Sequence, residues 1–581
     1  MRWRDRAIVF LLAALTVAGL LLISAFGRPY PVVPAWDGTP QFQADRAWAD
    51  LVTLATRFPR RWSGTSDRRA AADWITGELR RVGLEVHRDT FAVALGERTS
   101  VLMENVWGVS RGTDRADEIV VPLGNYDMAP TSFQAASDTA GHFAAVLELA
   151  RVIHAMPHRR TFVFLFPDGE EWGMLGARQF ARTFPQRGQI VAALSIEDLD
   201  PGNLVALGID GIGQFRGFAP MWMREVSMRS AAREGFPTDE VPPVFEWLQR
   251  SILVSFTDQG PFLGQGIPAI DLPGRGDDEA LKDRVYHMPD DLVAYMRPAA
   301  LAAYGRIQER ILRSIDALDP IPRESGFYLR LGSDRTVPPL PLLAAQVAVF
   351  LPLLAAALVR GRRARLTWAA FADETRGAAA VFMPLLVWLA AVKAMPWVGL
   401  MPRYELYPPP PRHPLLTDVG WLPVLVSFGI LAAALWMAQR RVRSTRRVEE
   451  TPGRSAHLAA LLILLAAVAG VALADNPFGA VTFLLLPALL WIWVEPCTTR
   501  LCRITNAVLV LAGFLVIVAL LAQYGALLRI GPYILWYIFM SLAYGQFSLL
   551  RLVLALAMTA IGIRLLQITM REQGTGTREL S

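Results

Sequence analysis

The segment "RTFVFLFPDGEEWGMLGARQFA", residues 160–181, contains the pattern that decides the fold of this chain. Its first seven residues are largely apolar, without the polar alternation of a half-exposed strand, which predicts a strand buried on both faces. A turn with two adjacent glutamates follows, and residues 174–184 have the spacing of a helix. A buried strand followed by a helix is typical of α/β domains built on a parallel sheet.

The same strand–helix unit occurs on both sides of this segment. Residues 118–124, "EIVVPLG", predict a strand before a helix over 140–155, and further strands are predicted over 190–196 and 266–272. The fold class is therefore predicted as α/β, with a mostly parallel sheet in a sandwich with helices on both faces. Polar groups directly follow three strands, namely "NYD" (125–127), "PDGEEWG" (167–173) and "EDLD" (197–200). This is the edge where open α/β sheets bind ligands.

The composition separates this block from the rest of the chain. Hydrophobic residues make up 53% of the 581 residues, above the usual range for a soluble protein. Residues 7–26 form an apolar run behind a positive leader, and the run is long for a cleaved signal, which favours an uncleaved anchor. Seven further apolar segments are predicted to span a membrane: 341–359, 378–399, 421–438, 457–474, 478–494, 504–524 and 547–568.

The distribution of arginine predicts the orientation of these spans. The clusters at 360–365 and 439–447 place their loops in the cytoplasm, because positive loops stay on that side. The predicted parts are a cytoplasmic tip and anchor (1–29), an extracytoplasmic globular domain (30–335), a membrane domain of about seven helices (336–570) and a cytoplasmic tail (571–581). We therefore predict a multi-pass protein of a cell membrane, and the strong preference for Arg over Lys indicates a bacterial genome.

The charge pattern also bears on the partners. The net charge of +6 does not indicate nucleic-acid binding, because much of the surplus lies in the cytoplasmic loops.

Cys497 and Cys502 fall in such a loop and are predicted to be reduced thiols. Lys393 and Arg551 lie near predicted span ends, and no paired intramembrane charge stands out, which favours anchoring over transport. The expected partners are the lipid bilayer and a substrate of the globular domain.

Several motifs of the globular block, in their order, resemble the M28 family of zinc aminopeptidases. They are "RFPRRWSGTSDRRAAADWITGELRRVGLEV", "ENVWGVSRG", "AASDTAGHFAAVLELARVI", "DGEEWGMLGARQFA", "TDQGPFLGQGIPAI" and "YHMPDD". The resemblance covers about residues 45 to 315 and implies an α/β fold with a two-zinc site that acts on peptides. Together with the membrane half, the chain is similar to the endoplasmic-reticulum metallopeptidases, which carry such a domain on a polytopic membrane domain.

The resemblance implies a role for each matching side chain. Glu170 would be the general base, and Asp138 would bridge two metals. The implied metal ligands are Asp138, Glu171, Glu197 and His287, and the implied supporting residues are Asn125, Asp127 and Asp290. These residue types fit the chemistry, since zinc binds imidazole nitrogen and carboxylate oxygen and a nearby carboxylate can take a proton from water.

Asn125 is a departure from the family pattern, which has a histidine at this position. An amide oxygen is a poor zinc ligand compared with imidazole, so we expect one bound zinc rather than two. Gln259 is a second departure, since the family often has a histidine there. Two alternatives for the ligand set remain open. Asp198 or Asp200 can be the acidic residue that turns inward instead of Glu197, and His142 lies one helical turn beyond Asp138.

Three functions are consistent with these residues. The first is a membrane-anchored zinc metallopeptidase that removes amino-terminal residues from peptides. The second is an acyltransferase that resembles glutaminyl cyclases, which share the fold and bind one zinc through Asp, Glu and His. The third is a metal-free receptor or scaffold domain. Retention of Glu170, Glu171 and His287 together argues against the third function, because a site that has lost its metal has no reason to keep both base and ligands.

Overall fold

The structure is a computed structural model that describes residues 10, 14, 23–95, 98–332, 334–404, 419–445, 453–497 and 499–570. It divides into two compact units. The globular unit comprises Arg28–Thr336 and Pro402–Tyr407, and the helical unit comprises Met1–Gly27, Val337–Met401 and Pro408–Ser581. The predicted anchor over 7–26 lies mostly outside the described residues, and the predicted tail over 571–581 lies wholly outside them.

The strands belong to three sheets of the globular unit. In chain order they are β1 (Arg28–Pro29), β2 (Glu85–Leu95), β3 (Arg98–Ser110), β4 (Arg115–Leu123), β5 (Arg160–Phe166), β6 (Ile190–Ser195), β7 (Leu204–Ile209), β8 (Thr238–Glu240), β9 (Ala269–Asp271), β10 (Gly274–Gly276), β11 (Leu329–Leu331) and β12 (Arg335–Val337). The main sheet has the order β2-β3-β5-β4-β6-β9, and the smaller sheets have the orders β10-β7-β8 and β1-β12-β11. The strands β5, β4, β6 and β9 are parallel, as predicted, whereas β2 and β3 form an antiparallel hairpin with β3 antiparallel to β5.

Both faces of the main sheet are covered by helices. The helices of this unit are α1 (Ala44–Arg57), α2 (Ser66–Val82), α3 (His142–His154), α4 (Leu175–Thr183), α5 (Met221–Arg233), α6 (Pro243–Ile252), α7 (Gln259–Gly264), α8 (Glu279–Val285) and α9 (Pro298–Ala317). Val120 and Phe162 pack with α1, α2, α3, α5 and α9, whereas their neighbours Val121 and Val163 pack with α4 and α7. Successive residues of a strand point to opposite faces, so the continuous apolar runs follow from burial on both sides.

Five helical stretches among the described residues of the helical unit are long and apolar enough to cross a membrane, with Pro339–Arg363 counted as one stretch. The unit has six if the bent pair Arg500–Ala512 and Leu515–Leu527 is one span. Its helices are α10 (Pro339–Ala348), α11 (Leu351–Arg363), α12 (Trp368–Ala394), α13 (Trp421–Thr445), α14 (Arg454–Asp475), α15 (Pro477–Leu490), α16 (Arg500–Ala512), α17 (Leu515–Leu527), α18 (Ile534–Ala543) and α19 (Leu549–Met570). The predicted span over 478–494 forms only the short helix α15 and a 3-10 turn. A helix of that length falls short of the hydrocarbon core, which is about 30 Å thick.

Two predictions for the helical unit were wrong. Buried charges do pair: Glu374 of α12 accepts hydrogen bonds from Arg564 of α19 and lies 2.8 Å from Nδ1 of His457 in α14. These residues are far apart in the sequence, so only the packing of three helices reveals them. Cys497 and Cys502, predicted as thiols, form a disulfide.

Candidate metal centre

The polar groups predicted at the strand ends meet at one edge of the main sheet. Asn125 and Asp127 follow β4, Glu170 and Glu171 follow β5, and Glu197 follows β6. Parallel strands end on the same side of a sheet, which explains why these separate segments converge. Two further segments reach the same place, namely the π-helical turn Ala136–Gly141 before α3 and the segment after α8.

Three of the predicted metal ligands form one group. Nε2 of His287 lies 3.1 Å from Oδ2 of Asp138 and 3.1 Å from Oε2 of Glu171. All three side chains are largely buried, and their ligand atoms lie within 4.8 Å of one another. Zinc binds imidazole nitrogen and carboxylate oxygen, and three protein ligands leave a further coordination position for substrate or water.

The backbone around Asp138 is held by a buried aspartate, Asp291, which is adjacent in the chain to the predicted supporting residue Asp290. Asp291 accepts hydrogen bonds from the backbone N–H groups of Ser137 (2.8 Å) and Asp138 (3.2 Å). The predicted supporting residue Asp290 is exposed instead. The two aspartates are adjacent in "MPDD", and which one turns inward depends on the loop conformation. Burial raises the pKa of Asp291 to about 7, although the two N–H groups oppose that rise.

Arg61 supports the same turn and was not identified from the sequence. Its guanidinium is fully buried and donates to the carbonyl oxygens of Tyr126 (3.0 Å), Gln134 (2.8 Å) and Ala135 (2.9 Å). Burial lowers the pKa of Arg61 to about 10, and nearby carboxylates including Asp291 counteract this, so the side chain stays charged at neutral pH. It lies in "RFPRRWSG", the first motif of the family resemblance, and that was the available signal.

Asn125 lies beside the metal group and is engaged by other side chains. Its Oδ1 lies 2.8 Å from Nε2 of His142, and its Nδ2 donates to Oδ1 of Asp127 at 3.3 Å and to Oγ1 of Thr139 at 3.5 Å. The same Asp127 oxygen accepts the backbone N–H of Glu170 at 3.2 Å. Asp127 therefore connects the strand end of β4 to the turn that carries the predicted base.

Glu197 is not brought to the group of Asp138, Glu171 and His287. Its Oε1 accepts hydrogen bonds from the hydroxyl of Ser195 and from the backbone N–H of Asp258 (2.8 Å). Asp198 lies near Asp138 and His142 instead, with ligand atoms within 4.8 Å of one another. Asp198 has a left-handed backbone conformation, φ 45°, which an Asp tolerates better than most residues. This backbone turn, which no sequence pattern indicated, brings Asp198 close to Asp138 and His142.

The electrostatics of the site favour a bound cation. Burial raises the pKa of Glu170 and of Asp138, and the neighbouring carboxylates, Glu197 and Glu171 foremost, raise them further. Burial lowers the pKa of His287, but Glu171 and Asp138 raise it well above its usual value. Among the described residues, Oε1 of Glu171 and Nδ1 of His287 are buried without a hydrogen-bond partner. Several carboxylates buried side by side are unfavourable unless they bind protons or a metal ion. Carboxylate oxygens together with an imidazole nitrogen are zinc ligands, so the donor set fits zinc.

Comparisons with known proteins agree with the family resemblance. Residues 105–312 match the model of Peptidase family M28. A probable zinc metalloprotease of Leptosphaeria maculans is 29% identical over 150 residues, which cover 23% of this chain and 35% of the relative. A probable zinc metalloprotease of Pyrenophora teres f. teres is 27% identical over 203 residues, or 32% of this chain and 42% of the relative. The chain thus spans about a third to two fifths of the length of these fungal relatives, and the bacterial origin stays a prediction.

Solved structures that align with part of this chain include two enzymes. BSAP, a zinc aminopeptidase from Bacillus subtilis, aligns with a TM-score of 0.41 and 13% identity over 49% of this chain and 98% of that chain. Porphyromonas gingivalis glutaminyl cyclase aligns with a TM-score of 0.39 and 19% identity over 47% of this chain and 98% of that chain. Residues 105–312 are therefore similar to Peptidase family M28, and the curated relatives are probable zinc metalloproteases.

Proposed function

We propose that the globular unit is a zinc-dependent peptidase that removes amino-terminal residues from peptides. The observation that carries this proposal is the buried group of Asp138, Glu171 and His287 at the carboxyl end of the main sheet. Glu170 lies next to one of these residues in the chain and is not part of the group, so its carboxylate remains available for proton transfer. The match of residues 105–312 to Peptidase family M28 supports the same reaction class.

The roles of the chain's own residues follow from their positions. Asp138, Glu171 and His287 would hold the zinc, which supplies a Lewis acid that polarises the scissile carbonyl. Glu170 takes a proton from the attacking water and delivers it to the leaving amine as the C–N bond breaks. Asp127 fixes the base through the backbone N–H of Glu170.

We also propose that the globular unit is held at a cell membrane, on its extracytoplasmic side. Five helical stretches of the helical unit have the length and apolar composition of membrane spans, which supports this location. The Arg-rich segment at 360–365 supports the orientation, because positive loops remain in the cytoplasm. The substrates would then be peptides outside the cytoplasm.

A second candidate function is favoured by one observation. Glu197 accepts a hydrogen bond from the backbone of Asp258 and lies outside the metal group, which leaves one Asp, one Glu and one His as a ligand set. That is the set expected for a one-zinc acyltransferase resembling glutaminyl cyclases. Such an enzyme would form a ring from an amino-terminal glutamine by attack of its α-amine on the side-chain amide, with release of ammonia.

One experiment separates these functions. The full-length protein is purified in detergent, loaded with zinc, and incubated with a peptide library that includes amino-terminal glutamine. Mass spectrometry then shows stepwise loss of whole residues for a peptidase, or loss of the mass of ammonia from glutaminyl peptides for a cyclase. The same peptides with an acetylated amino terminus are the control, and a peptidase that requires the free terminus leaves them intact. If the zinc-loaded protein changes neither set, the proposed enzymatic function is wrong.

A further inference from the structure

One short segment of the globular unit comes from a distant part of the chain. Pro402–Tyr407 follows α12 in the sequence, yet it packs as part of the compact unit of Arg28–Thr336. The structure describes this segment as far as Tyr404. Two candidate membrane spans, Pro339–Arg363 and Trp368–Ala394, lie between the two parts of the unit. An even number of spans returns the chain to the side from which it left, so both parts are expected on the same side of a membrane.

Tyr404 packs against the turn that carries the proposed base. Its ring stacks on the indole of Trp172, with the ring centroids 6.1 Å apart and the planes inclined by 9°. This separation is within the range of favourable aromatic pairs. Both rings also pack against one small buried apolar cluster, whose members lie in β2, in β3 and at the start of α4: Leu95, Val101, Met103 and Leu175. Trp172 directly follows Glu170 and Glu171, so Tyr404 contacts the residue next to the two proposed functional carboxylates.

The backbone of this turn is irregular. Gly169, Gly173 and Met174 have left-handed conformations, with φ angles of 81°, 103° and 58°. A left-handed conformation is unfavourable for a side chain such as that of Met174, and it persists where the surroundings hold it. The carbonyl oxygen of Glu170 accepts hydrogen bonds from the N–H groups of Gly173 (2.9 Å) and Met174 (2.8 Å). These bonds close the turn on itself, so its placement depends on contacts with the rest of the unit.

Those contacts lie at the two ends of the turn and at Trp172. Before the turn, Asp168 accepts the backbone N–H of Glu104 at 2.9 Å. After it, the side-chain amide of Asn105 donates to the carbonyl oxygen of Gly176 at 2.9 Å. Between these anchors, the indole of Trp172 is the largest side chain, and it is held between the apolar cluster and Tyr404. A change at Tyr404 is therefore expected to act on the middle of the turn, where Glu170 and Glu171 lie.

We infer that Tyr404 is a positioning residue of the proposed peptidase, which acts by stacking on Trp172. This inference rests on the proposed function, because it assigns Tyr404 a role in that reaction. A displacement of a reacting group by about 1 Å can lower turnover by about a hundredfold, so a contact outside the metal group can control the rate. The segment between α12 and α13 is then a working part of the peptidase as well as a connection between two helices.

Kinetics of the full-length, zinc-loaded protein in detergent test the inference. The substrate is the library peptide that the parent cleaves fastest. We expect Tyr404→Ala to lower kcat about tenfold with little change in KM, because the base is displaced while the rest of the site is intact. Tyr404→Phe keeps the stacked ring and should retain the parental kcat. His87→Ala is the matched control, since it removes a stacked ring from Trp107 (centroids 5.4 Å apart) elsewhere on the same hairpin, and it should leave kcat unchanged.

A double-mutant cycle shows whether Tyr404 acts through Trp172. Trp172→Ala alone should also lower kcat. Residues that act as one unit give non-additive effects, so adding Tyr404→Ala to Trp172→Ala should lower kcat no further. If the two losses multiply instead, Tyr404 does not act through Trp172, and the inference is wrong.

Hydrogen exchange provides a measurement that does not depend on turnover. Exchange of the backbone amides over residues 168–175 is followed by mass spectrometry without added zinc. We expect faster exchange in Tyr404→Ala than in the parent, Tyr404→Phe or His87→Ala. If Tyr404→Ala does not fold, Tyr404→Leu replaces it, because leucine keeps an apolar side chain but removes the aromatic ring.

The remaining outcomes separate this inference from the proposed function. Parental kcat in folded Tyr404→Ala, or unchanged exchange of the turn in that variant, overturns the inference and leaves the proposed function intact. A parent that cleaves no peptide contradicts the proposed function itself. In that case, the exchange measurement still decides whether Tyr404 holds the turn.

Discussion

Glu170 is the side chain on which the proposed chemistry depends. Its carboxylate is absent from the group formed by Asp138, Glu171 and His287, and its backbone N–H is held by Asp127. We expect Glu170→Gln to retain zinc and lose about a hundredfold or more in turnover, because the amide cannot take the proton. Peptide cleavage and zinc content are measured on the same samples, with Glu85→Gln on the exposed edge strand β2 as a control. Turnover at the parental rate in Glu170→Gln would exclude it as the base.

Glu246 of α6 is a buried carboxylate with a structural role. It is 1% exposed and forms salt bridges with Arg224, Arg250 and Arg330. Burial alone would raise its pKa, but the three guanidinium groups lower the pKa of Glu246 to about 2. A carboxyl with a lowered folded-state pKa stabilises the fold above its unfolded pKa, about 4.3, and this stability is lost as the pH falls towards 2.

The consequence is a pH-dependent effect of Glu246→Gln. Removal of one member of a buried ion-pair group costs about 3–5 kcal/mol at neutral pH, since it leaves buried charge unpaired. As the pH falls from about 4 towards 2 the parent progressively loses this stabilisation, so the difference in stability between the two proteins should shrink. Thermal unfolding of both proteins from pH 7 to pH 3 gives the difference in Tm. A difference that does not change with pH would contradict the lowered pKa of Glu246.

At the residue scale, the sequence predicted which side chains lie together better than it predicted the local turns that orient them. Asp138, Glu171 and His287 were predicted because their motifs occur in the order of a known family, and the structure brings their ligand atoms together. Asp198 and Asp291 were not chosen, because each differs by one position from a predicted acidic residue, and a local turn decides which one faces inward. A single left-handed φ angle has no signature in the sequence when the residue is not glycine.

At the scale of elements, the strands that were predicted correctly are those buried on both faces of the sheet. The strands β4, β5 and β6 were predicted to within three residues at each end, because both of their faces are covered and the sequence is continuously apolar. The hairpin of β2 and β3 was not predicted. Residues of β2 are largely half-exposed or exposed at the edge of the sheet, so its apolar signal is weak.

Three helices of the helical unit are joined by one carboxylate. Glu374 of α12 lies 2.8 Å from Nε of Arg564 in α19 and 2.8 Å from Nδ1 of His457 in α14. Its side chain is fully buried within the unit, and Arg564 packs against Gly377, where a Cβ would lie 2.6 Å from the guanidinium. The three helices therefore depend on this carboxylate for their relative placement, and a buried guanidinium without it would be strongly unfavourable.

The expected effect of Glu374→Gln is a large loss of stability, about 3–5 kcal/mol, because the neutral amide leaves the Arg564 charge unbalanced. Asp373→Asn is the matched control. Asp373 is adjacent in the chain, about half exposed, and 3.8 Å from Arg376, so its loss should cost less than about 1 kcal/mol. Thermal unfolding in detergent measures both variants. Equal shifts in Tm for the two would show that the buried contact does not stabilise the unit.

At the scale of the whole molecule, two features of the helical unit predict opposite orientations in the membrane. Arg360 donates to the backbone oxygens of Ile492 and Val494, so the cluster at 360–365 and the segment before Cys497 lie at the same end of the unit. Clustered arginine indicates the cytoplasm. The disulfide between Cys497 and Cys502 is typical of an oxidising compartment. The two signals disagree about this end.

We expect the arginine clusters at 360–365 and 439–447 to determine the orientation of the unit in the membrane, because they act while the chain is inserted. A disulfide forms after insertion and is reversible. A reporter that is active only in the cytoplasm should stay dark when fused near residue 200 and be active when fused near residue 445. A bright fusion near residue 200 and a dark fusion near residue 445 would reverse the topology. It would also place the proposed peptidase in the cytoplasm.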